Sequence, residues 1–152
     1  MIGGDAVEQT ISAAEWQVMR VLWAQPGVTS QEIIQALQKG FDWQATTIKT
    51  LLGRLRKKNY LRMVKEASKY RYYPLVSEEA HLQRQVETLL ATMCSTKQGQ
   101  VVEKLLDIGM FSQKSLENLV KKIRQLQETA PEQIVCRCLA GQCTCGCHQK
   151  GT

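Results

Sequence analysis

The chain has 152 residues, of which 43% are hydrophobic, and it carries a formal net charge of +6. This length allows one compact domain or two small ones, and the composition is typical of a soluble globular protein. No segment approaches the roughly 18 consecutive apolar residues of a membrane-spanning helix, and the first residues lack the basic flank and apolar core of an export signal. We therefore expect a cytoplasmic protein that does not bind membranes and whose thiols stay reduced.

Two capping boxes open the amino-terminal part of the chain. Residues 12–15 and residues 29–32 each begin with Ser or Thr and have Glu three positions later. In both places this signature precedes apolar residues at helical spacing. We therefore predict a first helix over residues 11–24 and a shorter second helix that ends near Gly40.

A third helix and a β-hairpin follow. Apolar residues recur at i, i+3, i+4 and i+7 from Ile48 to Leu55, which predicts a helix over residues 44–58. Residues 61–65 and 69–74 are rich in Val, Tyr and Leu, so they predict two paired strands. Three helices followed by a hairpin is the order of a winged helix-turn-helix domain, which we assign to residues 11–75.

Positive charge is concentrated in the third helix and the hairpin. Nine basic residues and one acid lie between Ala45 and Arg71, and this concentration favours binding of a polyanion. A purely structural amphipathic bundle would explain the apolar side of the helix, but it would not explain the uniformly basic solvent side. The pattern therefore favours DNA binding over that alternative.

The candidate DNA contacts lie on the solvent side of the third helix and in the hairpin. Arg54 and Lys57 are candidates for base or phosphate contacts. The small side chains of Thr46, Thr47 and Thr50 can approach base edges and thymine methyl groups. The other basic residues are expected to contact phosphates: Lys49, Lys58, Lys65, Lys69 and Arg71.

Residues 76–130 carry three apolar stripes at helical spacing, the last of them after Ser112 as a helix cap. Helices this few cannot enclose their own core, so we expect them to pair with those of a second copy in a homodimer. Folding back on the amino-terminal domain is the alternative. Cys94 continues the first stripe and is predicted to be a buried core thiol. His81, near a helix start, is predicted to be a surface residue.

Five of the six cysteines lie in the last seventeen residues. Residues two apart in an extended segment point to the same side, and Gly141 allows the chain to turn between the two pairs, so the sulfurs can converge. Reduced thiols at this density favour a soft-metal site over a disulfide framework. We assign residues 131–152 to a metal-binding tail. Its candidate ligands form two Cys-x-Cys pairs, Cys136 with Cys138 and Cys143 with Cys145, and four residues separate the pairs.

Three segments, Ile11–Trp23, Thr46–Lys58 and Tyr70–Leu75, resemble the BlaI/MecI family of repressors. The resemblance covers residues 11 to about 128. The cysteine pattern of the tail narrows it to the copper-responsive CopY-type repressors, whose distinguishing mark is that tail. Together these motifs imply a mostly helical protein with a small β-hairpin, in which a winged helix is followed by a helical dimerisation region over residues 76–130.

The resemblance also implies a function. It implies a homodimer that binds a palindromic DNA operator with TACA and TGTA half-sites and represses copper-transport genes. It further implies Zn²⁺ in the repressing form and Cu⁺ in the released form, with the metal held by the four cysteines of the two Cys-x-Cys pairs. Cys147 and His148 go beyond this motif and are candidates for extra ligands or for a copper entry point. A copper-delivering protein is a further candidate partner.

Two other repressor mechanisms remain open. A repressor inactivated by proteolysis would share residues 11–128 without needing the tail, and a redox-sensing repressor would use the same thiols as disulfides. An enzyme is disfavoured, because His81 and His148 have no partner residues for acid–base or nucleophilic catalysis. Residues 1–10 are expected to be disordered.

Overall fold

We describe residues 10–147 of a computed structural model of the chain. The chain divides into two compact units, with the division between Gln83 and Arg84. The prediction for residues 1–10 falls, except for Thr10, outside the described residues, and so does the prediction for His148. The elements are α1 (Ala13–Ala24), β1 (Val28–Thr29), α2 (Ser30–Gln38), α3 (Ala45–Lys57), β2 (Leu61–Glu66), β3 (Lys69–Pro74), α4 (Glu78–Ala91), α5 (Gln98–Ile108) and α6 (Gln113–Gln127), with a single 3-10 turn at Ser95–Lys97 before α5.

The caps of α1 and α2 explain where these helices begin. Thr29 and Glu32 form the predicted capping box: the Thr29 hydroxyl oxygen accepts a hydrogen bond from the Glu32 N–H at 3.3 Å, and the Glu32 carboxylate accepts one from the Thr29 N–H at 2.7 Å. In α1 only half of the predicted box forms. Ser12 accepts a hydrogen bond from the Glu15 N–H at 3.1 Å, but the Glu15 carboxylate is buried and binds Lys58 instead.

The sheet has three antiparallel strands in the order β1-β3-β2. Strands β2 and β3 form the predicted hairpin, which closes through Ala67 and Ser68, and Ala67 has a φ of 55°. Strand β1 is an addition to the predicted fold, because Val28 pairs with Tyr72 and Thr29 with Arg71. The predicted class, mostly helical with a small hairpin, is therefore confirmed with one short strand added.

The core of the first unit lies between α1, α2, α3 and the sheet. Its fully buried apolar side chains come from all three helices and from β2, so burial of one face fixes each helix against the others. The opposite face of α3 consequently points to solvent. The most deeply buried apolar residues are Val18, Met19, Leu22, Ile33, Ile48, Leu55 and Leu61.

His81 in the first turn of α4 also belongs to this unit. The prediction of a surface residue is wrong, because the side chain has no exposed surface. Its ring stands edge-on to Trp16, with centroids 4.3 Å apart, and its Nδ1 lies 3.2 Å from the Tyr60 hydroxyl oxygen. Trp23, which donates from Nε1 to the Val76 carbonyl at 2.8 Å, packs on the same ring. These contacts fix the beginning of α4.

The second unit contains the rest of α4, together with α5, α6 and the cysteine tail. Ser112 caps α6 as predicted, accepting a hydrogen bond from the Ser115 N–H at 3.1 Å. Neither α5 nor α6 has a buried residue, and apolar side chains such as Leu105 and Ile123 remain 49% and 46% exposed. Among the described residues, no helix is long and apolar enough to span a membrane.

Candidate nucleic-acid interface and thiol cluster

The outward face of α3 consists of small polar and cationic side chains. Its inward face buries Ile48, Leu51, Leu52 and Leu55, which orients the helix. The Thr50 hydroxyl donates to the Thr46 carbonyl at 2.9 Å, so it can act only as an acceptor toward a ligand. Six of the predicted DNA contacts are exposed on this helix: Thr46, Thr47, Lys49, Thr50, Arg54 and Lys57.

Lys58, at the carboxyl end of α3, is placed differently. Its ammonium lies 2.8 Å from one carboxylate oxygen of Glu15 and also donates to the Thr10 carbonyl at 3.0 Å. The Glu15 side chain is only 3% exposed, so its charge needs this partner. The placement favours a structural role for Lys58 over the predicted phosphate contact.

The hairpin of β2 and β3, hereafter the wing, carries the remaining predicted contacts. Lys65 and Lys69 are exposed. Arg71 forms an ion pair with Glu66 at 2.6 Å and donates to the Gly27 carbonyl at 2.9 Å, so its guanidinium joins the wing to the turn before β1. Arg71 therefore has structural partners, whereas the two lysines remain available for phosphates.

Two further cations, one in α3 and one in the wing, are absent from the predicted contacts. Arg56 is exposed near the end of α3, and Arg62 lies in β2 with its guanidinium 4.7 Å from the centre of the Tyr73 ring. The signal for Arg56 was its position beside Arg54 and Lys57, although the helical wheel places it between the two faces. Nothing in the local sequence predicts the cation–π contact of Arg62.

The cysteines of the tail converge on one another. The sulfur–sulfur distances are 3.2 Å between Cys143 and Cys145, 3.3 Å between Cys136 and Cys145, and 3.5 Å between Cys136 and Cys143. The Cys147 sulfur accepts a hydrogen bond from the Cys136 N–H at 3.5 Å. Gly141, with a φ of 89°, lies in the turn between the two Cys-x-Cys pairs, as expected.

Cys94 joins this group of sulfurs, which sequence reasoning did not foresee. The thiol is buried as predicted, with 7% exposure, but its assignment to the apolar stripe of a helix is wrong because α4 ends at Ala91. Its sulfur and those of Cys136, Cys138 and Cys143 all lie within 4.8 Å of one another. A second set, Cys136, Cys145 and Cys147, meets the same limit. We call these six residues the thiol cluster.

The surroundings of Cys136, Cys138 and Cys145 change the affinity of their sulfurs for a proton. A backbone hydrogen bond from Cys147 lowers the pKa of Cys145 to about 6, and the neighbouring thiols act in the same direction. Burial raises the pKa of Cys138 to about 11. A backbone hydrogen bond from Cys138 lowers the pKa of Cys136, but Cys145 and burial together raise it well above its ordinary value. Of these three thiols, Cys145 therefore carries negative charge most readily at neutral pH.

The donor set of the thiol cluster fits a soft metal ion. All six candidate ligands are sulfurs, and Cys136 belongs to both sets, as a bridging ligand must. Four thiolates around one ion suit zinc, and fewer thiolates per ion suit Cu(I). A bound metal would replace the protons that the clustered thiols otherwise share, so metal affinity should rise with pH.

The fold and the basic face of α3 define a winged-helix DNA-binding protein. The family model described as penicillinase repressor matches residues 11–125. A relative from Latilactobacillus sakei, described as an uncharacterized 16.5 kDa protein in the ptsI 3′ region, is 37% identical over 135 residues, which cover 89% of this chain and 92% of the relative. The methicillin resistance regulatory protein MecI of Staphylococcus aureus is 40% identical over 68 residues, 45% of this chain and 55% of MecI.

Among solved structures, that of the CopR repressor is 41% identical in sequence to this chain, with a TM-score of 0.39. The match covers 45% of this chain and 99% of CopR. The chain belongs to the penicillinase repressor family, which is the BlaI/MecI family that its sequence motifs resemble. This family consists of DNA-binding transcriptional repressors and not of enzymes. Family membership therefore confirms the prediction of a DNA-binding repressor and the prediction that the chain is not an enzyme.

Proposed function

We propose that the chain is a copper-responsive repressor, which binds a palindromic DNA operator as a zinc-loaded homodimer and releases it when Cu(I) replaces zinc. The observation that carries this proposal is the convergence of the tail sulfurs at 3.2–3.5 Å in a chain that also has a repressor fold. Repression requires the winged helix of the first unit and pairing with a second copy through the helices of the second unit. The metal response requires the thiol cluster.

DNA contact is assigned to α3 and the wing. Helix α3 enters the major groove with the exposed face that holds Thr46, Thr50 and Arg54, and Lys65 and Lys69 contact phosphates from the wing. Lys58 and Arg71 are left out of this contact set, because Glu15 and Glu66 already pair with them. The expected operator carries TACA and TGTA half-sites, as the resemblance to CopY-type repressors implies.

A second copy of the chain is the proposed partner of the helical region. The apolar side chains of α5 and α6 are about half exposed, which is a large unpartnered area for a small monomer. A twofold dimer would cover the same face on both copies and would present two α3 helices to two half-sites. Half-sites one helical turn apart would require these helices to be roughly 34 Å apart along the duplex.

The identity of the bound metal would determine the conformation of the tail. Zinc favours a tetrahedral set of four thiolates, whereas Cu(I) favours fewer thiolates per ion with shared sulfurs, so the same cysteines would adopt two arrangements. The zinc-ordered arrangement supports the dimer that binds DNA, and copper removes that support. A coupling free energy of about 1 to 3 kcal/mol is enough to change operator affinity 5- to 150-fold.

The double substitution of Cys136→Ser and Cys143→Ser tests this proposal. We expect the variant to bind the operator only at the affinity of the zinc-free chain and to show no further loss on addition of Cu(I), because Cys136 and Cys143 belong to the four-thiol set and Cys136 to both sets. Operator binding measured by fluorescence anisotropy, with and without Cu(I) at fixed salt, gives the result. Copper-driven release that persists in the double variant would contradict the assignment.

Two further measurements on the unchanged chain separate the redox alternative. A repressor that senses oxidants through disulfides would release DNA with an oxidant in the absence of metal, and protein purified without oxygen would contain no bound metal. A metal-responsive repressor would carry metal under those conditions, with its thiols reduced. Mass spectrometry of the intact protein distinguishes bound metal from the loss of two hydrogen atoms per disulfide.

A further inference from the structure

Cys94 lies at the junction between α4 and α5, outside both helices. Its φ of −58° and ψ of 129° are not helical, and it precedes the 3-10 turn as the cap residue. The side chain therefore leaves the apolar stripe of α4 and is nearly buried in the second unit, with 7% exposure. Because Cys94 lies outside both helices, its buried thiol is not part of an apolar helix core.

The sulfur of Cys94 has the geometry of a metal ligand. Together with the sulfurs of Cys136, Cys138 and Cys143 it forms a mutual set within 4.8 Å. A tetrahedral zinc site with bonds of about 2.3 Å has sulfur–sulfur distances of about 3.8 Å, so only small movements would close this set around an ion. Cys145 belongs instead to the set with Cys136 and Cys147.

Two neighbouring contacts support this position. The Thr96 hydroxyl lies 3.0 Å from the Cys94 sulfur, within hydrogen-bonding distance. Groups that hydrogen-bond a ligand in this way orient it and tune metal sites. The Ser95 hydroxyl donates to the Val135 carbonyl at 3.4 Å. Val135 directly precedes Cys136, so this hydrogen bond holds the tail beside Cys94.

We propose that Cys94 is the fourth thiolate ligand of a zinc site formed with Cys136, Cys138 and Cys143. Bound zinc then fastens the tail to the junction of α4 and α5, so the metal acts on the helical region itself and not only on the tail. This inference rests on the proposed function, because it specifies the metal site of that same repressor. It differs from the predicted ligand set in replacing Cys145 by Cys94.

Co²⁺ substitution in the full chain tests the ligand set, because its sulfur-to-metal charge-transfer absorption grows with the number of bound thiolates. The variants are Cys94→Ser and, as a control at the same junction, Met93→Ser, which leaves all six cysteines in place. We expect Cys94→Ser to lose about a quarter of the absorption and to lower zinc affinity at least about tenfold. Met93→Ser should retain the full absorption.

The outcomes separate the two proposals. If Cys94→Ser keeps the full absorption and zinc affinity while Cys136→Ser with Cys143→Ser abolishes both, Cys94 is not a ligand and the proposed function stands. If the wild-type chain binds neither Co²⁺ nor Zn²⁺, both proposals fail. Far-UV circular dichroism of each variant establishes that its helices are formed.

A measurement on the wild-type chain needs no variant. A small thiol reagent is applied to the zinc-loaded and the zinc-free protein, and the modified cysteines are located by mass spectrometry. We expect zinc to protect Cys94 together with Cys136, Cys138 and Cys143, because metal-bound thiolates react slowly. Equal modification of Cys94 with and without zinc, while the tail cysteines are protected, would overturn the inference.

Discussion

Arg54 is the residue whose role in DNA recognition can be tested most simply. Its side chain is exposed on the outward face of α3, in the stretch that contains nine basic residues and one acid. If the guanidinium contacts a base, Arg54→Ala should cost about 1 to 3 kcal/mol of operator binding and relax specificity at one position. Competition binding with single-base operator variants measures both effects.

The control for this substitution is Arg20→Ala. Arg20 is an exposed arginine of α1, outside α3 and the wing, and donates to Gln17 at 3.2 Å. Its removal should leave operator affinity unchanged. Equal losses for the two substitutions would indicate a general charge effect, and an unchanged affinity of Arg54→Ala would remove Arg54 from the contact set.

Lys58 and Lys65 are both basic, but the structure gives them different roles. Removing Lys58 leaves the buried Glu15 carboxylate without its partner, so Lys58→Ala should lower the free energy of unfolding by about 1 to 3 kcal/mol. Lys65→Ala should leave that free energy unchanged and reduce the salt dependence of operator binding by about one ion. Urea denaturation and binding at several salt concentrations measure the two quantities. The reverse pattern would show that Lys58 is the phosphate contact.

At the scale of the secondary-structure elements, the sequence predicts the helices well because their signals are local. The boundaries of α1, α2 and α3 lie within about two residues of those predicted from caps and apolar spacing, and the hairpin has the expected strands. Strand β1 was missed because two residues have no period of their own. Val28 and Thr29 become a strand only through pairing with β3, which lies far along the chain.

The same distinction between local and distant partners explains why the positions of His81 and Cys94 were predicted wrongly. His81 looks like a surface residue in sequence, but Trp16, Trp23 and Tyr60 come from distant segments to enclose it. Cys94 fits the apolar spacing of α4, yet the helix ends before it and the tail sulfurs lie beside it. The Cys-x-Cys pairs were recognised because both the spacing and the turn at Gly141 are local.

Helix α6 provides the test of dimerisation at this scale. Leu116, Val120 and Ile123 form an exposed apolar stripe, with each side chain 43% to 46% exposed. A charge in this stripe would be costly to bury, so Ile123→Asp should convert the homodimer to a monomer and weaken binding to the full palindrome more than to a half-site. Sedimentation velocity over a range of concentrations measures the assembly.

The matched control for this change is Lys122→Asp, which places the same side chain one position away on the exposed helix. Its assembly should equal that of the unchanged chain. A monomeric wild-type chain at micromolar concentration, or a dimer that tolerates Ile123→Asp, would contradict the proposed second copy and would require another partner for α6.

At the scale of the whole molecule, the account depends on a connection between sulfur chemistry at one end and DNA binding at the other. The first unit supplies a winged helix that belongs to a repressor family, and the thiol cluster in the second unit supplies a donor set suited to soft metals. Each part could act alone. Regulation requires that the metal at the cluster change the affinity of the helices α3 for their half-sites.

The most direct measurement of that connection is operator affinity at fixed salt, first with Zn²⁺ and then with Cu(I), for the full chain and for a chain ended after Glu132. We predict that the full chain binds tightly with zinc and loses affinity 5- to 150-fold with Cu(I), which corresponds to about 1 to 3 kcal/mol of coupling. The shortened chain should respond to neither metal. An equal copper-driven release from both chains would contradict the account.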